Sequence, residues 1–164
     1  MDRIIITGAN GAGKSYWAAR LGGVVSFDAI KLTTHWVQRP RAEILADLAG
    51  LVAEERWVIE GGPSLLPLAL PRAQVVIWLD PPLWQRAWRL LKRPLRHRGT
   101  TRPELPPGNV DRLAEQWRFG WRSLRADAAF RANIKGALAG TSAQIFHCRS
   151  NRDAARAISA CADR

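Results

Sequence analysis

The stretch Gly8-Ala9-Asn10-Gly11-Ala12-Gly13-Lys14-Ser15 satisfies G-x-x-x-x-G-K-[ST] in every fixed position. That spacing wraps backbone N–H groups around phosphate oxygens, and the helix that follows aims its positive end at the same anion. The glycines let the backbone come close. Lys14 is expected to reach the β- and γ-phosphates as a point charge, and the Ser15 hydroxyl to be a ligand of the bridging Mg²⁺. The expected nucleotide-binding set is Gly8, Asn10, Gly11, Ala12, Gly13, Lys14, Ser15 and Tyr16. The flanks agree with this reading. Arg3 to Thr7 is a β-branched apolar run suited to a buried parallel strand, and Tyr16 to Leu21 continues as a helix.

A chain of 164 residues is long enough for one buried core and short for two, so residues 1–164 are read as one domain. No apolar run approaches the 18 or so residues of a membrane span, and the N-terminus lacks the apolar core of a signal peptide. The expectation is a cytoplasmic protein without a membrane partner. Cys148 and Cys161 show neither metal-ligand spacing nor a disulfide framework and are read as structural.

The net charge is +11, and residues 86 to 131 carry +8 of it, with twelve basic side chains against four acidic. Arg outnumbers Lys by 21 to 4, and the planar guanidinium fork suits bidentate phosphate contacts. An anionic partner follows. Composition alone does not separate a nucleotide from a nucleic acid.

Along the chain, strands are expected at 24–27, 57–60, 74–79 and 144–148, and acids close three of them: Asp28, Glu60 and Asp80. In parallel sheets these strand ends face the ligand crevice. Asp28 is therefore a candidate on the acceptor side, and Glu60, followed by Gly61-Gly62, a candidate beside the nucleotide. Residues 29 to 39 read as a loop or broken helix, and a helix is expected from Pro40 to Glu55. From residue 82, Trp84, Trp88, Leu91 and Leu95 mark one helical stripe, and Arg86, Arg89, Arg93 and Arg96 mark the opposite one. The first stripe is expected to enter the core and the second to present guanidinium groups to phosphate. Pro94 should end or kink this helix and open a basic loop through Arg102. Asn109 is expected to cap one long helix whose stripe runs Val110, Leu113, Trp117, Trp121, Leu124 and Ala128. The tryptophans of these two helices are read as core. His35, His97 and His147 show no pairing pattern.

Alternating strands and helices behind a phosphate loop imply a parallel sheet covered on both faces. At this point the chain resembles the adenylate-kinase-like branch of P-loop kinases. It looks most like the small bacterial proteins labelled "DNA topology modulation protein" or adenylate-kinase-related kinases. The resemblance covers nearly the whole chain and rests on Gly8–Ser15, Phe27-Asp28, Trp57 to Gly61, Val76 to Pro81, Leu90 to Pro103 and Cys148-Arg149-Ser150. It implies a P-loop NTPase fold with three α/β/α layers and a five-stranded parallel sheet in the order 2-3-1-4-5. An ATP·Mg²⁺ site on the loop and a short Arg-rich lid at about residues 94–108 come with it. It also implies an acid at Glu60 near Mg²⁺, an acid at Asp28 near the acceptor, and Arg149 and Ser150 beside the adenine. Tyr16 stands where the family often has Thr, and Glu60-Gly61-Gly62 replaces the usual Asp-Gly-Asn or Asp-Gly-Phe.

The function expected is transfer of the γ-phosphate of ATP to a small-molecule or nucleotide acceptor. Lys14 and lid arginines (Arg93, Arg96, Arg98, Arg102) would neutralise the moving charge, Ser15 and Glu60 would hold Mg²⁺, and Asp28 would orient or deprotonate an acceptor hydroxyl. The alternative is a nucleic-acid-binding protein that uses the loop as a nucleotide switch.

Overall fold

The computed structural model describes residues 2–96, 101, 105–110 and 112–162. Its centre is β1 (Arg3–Gly8), followed by α1 (Lys14–Ala18), β2 (Val24–Ser26), α2 (Phe27–Lys31), α3 (Arg41–Ala53) and β3 (Trp57–Gly61). Then come α4 (Leu66–Ala69), β4 (Val75–Leu79), α5 (Leu83–Arg96), α6 (Leu113–Arg125), α7 (Asp127–Leu138), β5 (Gln144–Cys148) and α8 (Asn151–Ala162). The five strands form one parallel sheet in the order β2-β3-β1-β4-β5.

The run Ile4-Ile5-Ile6 shows why β1 sits in the middle. Successive side chains point to opposite faces of a strand, so a centre strand covered on both sides must be apolar at every position. Ile5, with Ile59 and Val76, joins the core under α2, α3, α4 and α7, while Ile4 and Ile6, with Val75 and Ile77, join the core under α1 and α8. All three isoleucines are buried. The register Thr7↔Gly61, Gly8↔Leu79 and Ser26↔Glu60 brings the C-terminal ends of β2, β3, β1 and β4 to one edge, where the loop Gly8–Ser15 lies.

Several local expectations change. Residues 29–39, left open between loop and broken helix, form the end of α2 and a 3₁₀ turn at Thr34–Trp36, joined by a bridge between Leu32 and Gln38. Strand 2 stops at Ser26, so Asp28 lies in the first turn of α2 rather than at the strand tip. Pro94 does not end α5, which runs to Arg96. The single long helix expected after Asn109 is two helices that meet at Ala126, and neither is capped by Asn109. Asn109 is instead fully buried: its side chain accepts from the Trp36 N–H and donates to the Thr33 and Pro106 carbonyls. It ties the loop 105–110 to the turn at 34–36.

The largest change concerns the stripes of α5 and α6. Trp84, Trp88, Trp117 and Trp121, expected in the core, are 69%, 55%, 43% and 63% exposed. Arg86 is 1% exposed, and Arg89 and Arg93 are half-buried. On α6 the buried positions are Gln116, Gly120 and Ser123. Both helices are turned opposite to the apolar-inside rule, because the inner face of α5 meets the phosphate loop and that of α6 meets α5 and, through Ser123, Asn10 of the loop.

Candidate active site

The loop needs glycine twice over. Gly8 has φ 153°, and a Cβ there would fall 2.4 Å from the Leu79 carbonyl oxygen. Gly11 has φ 79°, and a Cβ would meet Leu90 at 2.9 Å and the Arg86 carbonyl oxygen at 3.0 Å. Left-handed conformation and close approach of β4 and α5 together exclude other residues.

A curled loop leaves backbone carbonyls with no ladder or helix donor, and buried carbonyls need one. Arg86 Nε donates to the Asn10 carbonyl at 3.0 Å, and Arg89 donates to those of Ala12 at 2.8 Å and Gly11 at 3.3 Å. The Arg86 guanidinium also pairs with Asp127 at the start of α7. Arg89 reaches Asn151 at the start of α8, 3.1 Å away. The Asn10 side chain donates to Ser123 of α6 at 3.0 Å. The loop is thus bolted to four helices, and Arg86 and Arg89 brace it from behind. Sequence reading placed these arginines on the phosphate-facing stripe; the i, i+3 spacing was visible, but not their carbonyl partners.

Lys14 Nζ donates to the Gly8 carbonyl at 3.1 Å and the Ala9 carbonyl at 3.5 Å. The residue is half-buried, with its ammonium curled inward onto the loop. Desolvation there pushes its pKa below the ordinary 10.5; Glu60 and Asp28 oppose the shift, and Arg93 and Arg86 reinforce it. Glu60, buried at the end of β3, accepts from Ser26 at 2.8 Å and from Ser15 at 3.3 Å through one carboxylate oxygen. A serine hydroxyl and a carboxylate side by side are hard oxygen donors suited to Mg²⁺, which keeps most of its own waters. Asp80 is engaged elsewhere: Arg131 lies 3.0 Å from one oxygen and His147 Nε2 3.0 Å from the other. The ring of His147 stacks on Trp78.

Besides a cavity that touches the loop only at Ser15, two cavities adjoin it. The smaller, about 160 Å³, is walled by the loop with Ser26, Glu60 and Arg89. The larger, about 450 Å³, extends toward Lys31, Trp36, Gly62, Phe119, Arg122 and Phe130. Asn10, Lys14, Asp28 and Arg93 line both. Asp28 is paired with Lys31 at 2.7 Å, and Arg93 reaches Gln116 at 3.2 Å. Trp36 lies in the segment 29–39, which the sequence reading set over the acceptor pocket as a loop or broken helix, whereas Phe119, Arg122 and Phe130 were not singled out. Those three come from α6 and α7, and no local pattern marks them as site residues.

The predicted residues therefore divide. Gly8 to Ser15, Asp28, Glu60 and Arg93 meet around the two cavities. Tyr16 borders the smaller one and lies under the Arg20 guanidinium. Arg149 and Ser150 lead into α8, where Asp153 accepts from both backbone N–H groups and the Ser150 hydroxyl accepts from the Asp153 N–H. This reciprocal arrangement is a capping box, a structural use of the pair. Arg98 and Arg102, and the side chain of Arg96, lie outside the described residues.

No family model and no curated protein matches the sequence. Among solved structures, the chain is similar to TT1252 from Thermus thermophilus, with 17% identity over 96% of this chain and 94% of that one and a TM-score of 0.53. It is also similar to shikimate kinase from Acinetobacter baumannii in complex with shikimate, with 13% identity over 98% and 91% and a TM-score of 0.53. The strand order and these neighbours make the fold a P-loop kinase fold.

Proposed function

We propose that this chain is an ATP-dependent phosphotransferase that moves the γ-phosphate of ATP to a small anionic acceptor held in the larger cavity. The observation that carries the reading is the shared wall: Lys14, Asp28 and Arg93 line both the cavity at the loop and the one beyond it. A donor in one and an acceptor in the other would meet across the same three charges, which is the positioning that phosphoryl transfer requires. The aromatic side chains Trp36, Phe119 and Phe130 with the cations Lys31 and Arg122 suit a flat or cyclic acceptor that carries negative charge.

Lys14 would leave the Gly8 carbonyl for the phosphates, and Arg93 would hold charge on the transferring group. Asp28, already paired with Lys31, would orient an acceptor hydroxyl and take its proton; toward a phosphate acceptor it would only bind. Mg²⁺, held by Ser15 and Glu60, would supply charge neutralisation between the phosphates. Residues 1–164 act in this reading as one cytoplasmic domain, with 94–108 as a lid that excludes water once the acceptor is in place. Within the fold, the chain is assigned to the adenylate-kinase-like branch and its small bacterial "DNA topology modulation" kinases, on the residues from Gly8 to Ser15 and from Leu90 to Pro103. The nucleic-acid alternative loses support, since Arg86 and Arg89 are spent on loop carbonyls and not on the surface.

The test is ATP consumption by the purified protein with Mg²⁺ across nucleosides, nucleotides and phosphorylated or carboxylated hydroxy-metabolites. Turnover that depends on one acceptor, is lost in Lys14→Ala and falls in Asp28→Asn is expected. Absence of acceptor-dependent turnover across the panel, or turnover unchanged in Lys14→Ala, would overturn the reading.

A further inference from the structure

The outer faces of α5 and α6 enclose an open groove of about 760 Å³ on the side away from the phosphate loop. Trp84, Trp88 and Leu91 of α5 and Trp117 and Trp121 of α6 line it. Leu83 and Leu95 extend the apolar surface along α5 and are 44% and 57% exposed. The Trp117 indole N–H donates to the Leu91 carbonyl at 3.2 Å, so the two walls are held together. Half of the eight tryptophans stand on this one face. A contiguous apolar surface of this kind marks a binding site for a protein or a membrane.

Charge decides between occupants. Helix α5 contains no acidic residue, and the one acid of α6, Glu115, pairs with Arg112 and lines other cavities. Lys92 lies 4.2 Å from the Trp88 ring centre and Arg125 5.7 Å from that of Trp121, both at the margin of the groove, and Arg118 is exposed on α6 between its tryptophans. A second copy would set basic margin against basic margin at a net charge of +11 per chain. A nucleic acid would match the charge, and tryptophans stack on bases, but the exposed Leu83, Leu91 and Leu95 offer no π-face to a base. Indole rings, aliphatic side chains and a cationic margin with no acid are what an anionic lipid surface takes: indoles sit at the headgroup level, leucines enter the acyl boundary and Lys and Arg meet the phosphates.

We propose that the α5/α6 face docks this protein peripherally on anionic lipid membranes. It is independent of the catalytic reading, and it does not require a span: among the described residues no helix is long and apolar enough to cross a membrane.

The experiment is co-sedimentation of the full-length protein with vesicles of phosphatidylcholine alone and of equal parts phosphatidylcholine and phosphatidylglycerol, with tryptophan emission recorded in parallel. Binding to the anionic vesicles, a blue shift of emission, and weakening with added salt are expected. Trp84→Ser/Trp121→Ser and Lys92→Glu/Arg125→Glu should each lower partitioning by at least about tenfold. All four positions are exposed, and cooperative thermal unfolding checks that each variant folds. No binding to anionic vesicles overturns the proposal. So does equal binding by the variants. A dimer in sedimentation velocity or single-stranded DNA binding that the tryptophan variant abolishes, without vesicle binding, assigns the face to a second copy or a nucleic acid instead.

Discussion

The two faces of α5 carry opposite chemistry. On the inner face Arg86, Arg89 and Arg93 turn toward the phosphate loop, and the first two neutralise its bare carbonyls. On the outer face Trp84, Trp88, Leu91 and Leu95 look to solvent. A helix normally hides its apolar stripe because water rejects hydrocarbon. Here the neighbour on the inner side is a turn of backbone oxygens, and an unpaired buried carbonyl costs more than an exposed indole. The partner chosen by the inner face fixes the outer face as a consequence.

That contrast can be broken from either side. The largest effect should come at the loop the arginines support: Lys14→Ala should lower the proposed phosphoryl transfer by at least about 100-fold while leaving circular dichroism and the unfolding midpoint in place. Next, Arg86→Leu takes the buried guanidinium from Asp127, leaving it Arg131 at 3.4 Å, and removes the Arg86 donor from the Asn10 carbonyl. It should cost about 3 kcal/mol in urea unfolding, whereas Trp84→Ser on the outer face should change stability by about 0.5 kcal/mol or less. Equal costs for the two would show that both faces are packed alike, and the contrast would be lost.

A third test uses protons. Because the Lys14 ammonium is desolvated, its pKa lies below 10.5 in the free protein, and triphosphate beside it should raise that value again. ATP binding should therefore take up protons on the alkaline side, and affinity should fall as pH rises through the lowered lysine pKa and before the ordinary one. Calorimetry in buffers of different ionisation enthalpy reads the uptake directly, and Lys14→Ala should abolish it.

A smaller effect than that of Arg86→Leu lies at the C-terminal helix. Ser150→Ala removes one half of the capping box and should cost about 1 kcal/mol. Asp153, held below its ordinary 3.8 chiefly by its hydrogen bond with Ser150, contributes stability that is present above that value and lost as pH falls through the lowered one. The Ser150→Ala variant should show a weaker loss below pH 3.8 than the parent protein. A nucleotide affinity that drops with the same substitution would return Arg149 and Ser150 to the adenine site. In the adjoining core, burial pushes the Cys148 thiol up to about 11, so a thiol reagent at neutral pH should modify it only on unfolding.

Much of this was written in local sequence. The triple isoleucine before Gly8 declared a strand covered on both faces, and the spacing of Gly8, Gly13, Lys14 and Ser15 declared the loop. The acid at Glu60 ended an apolar run of the right length to meet Ser15. Each of these signals lies within a few residues of chain and has one physical solution. The break at Ala126 was not legible, because the apolar spacing runs on through it and Arg86, which pairs with Asp127 in the first turn of α7, lies 41 residues away in sequence. Nor was the burial of Asn109, whose three partners at Thr33, Trp36 and Pro106 span 73 residues.

The sequence alone determined the phosphate loop, the strand set and the two-faced character of α5, since periodicity is a property of the chain segment itself. Which face of α5 turned inward was decided only by tertiary structure. The carbonyls of Asn10, Gly11 and Ala12 meet their donors across more than 70 residues of chain, and no spacing within α5 encodes what waits on the other side.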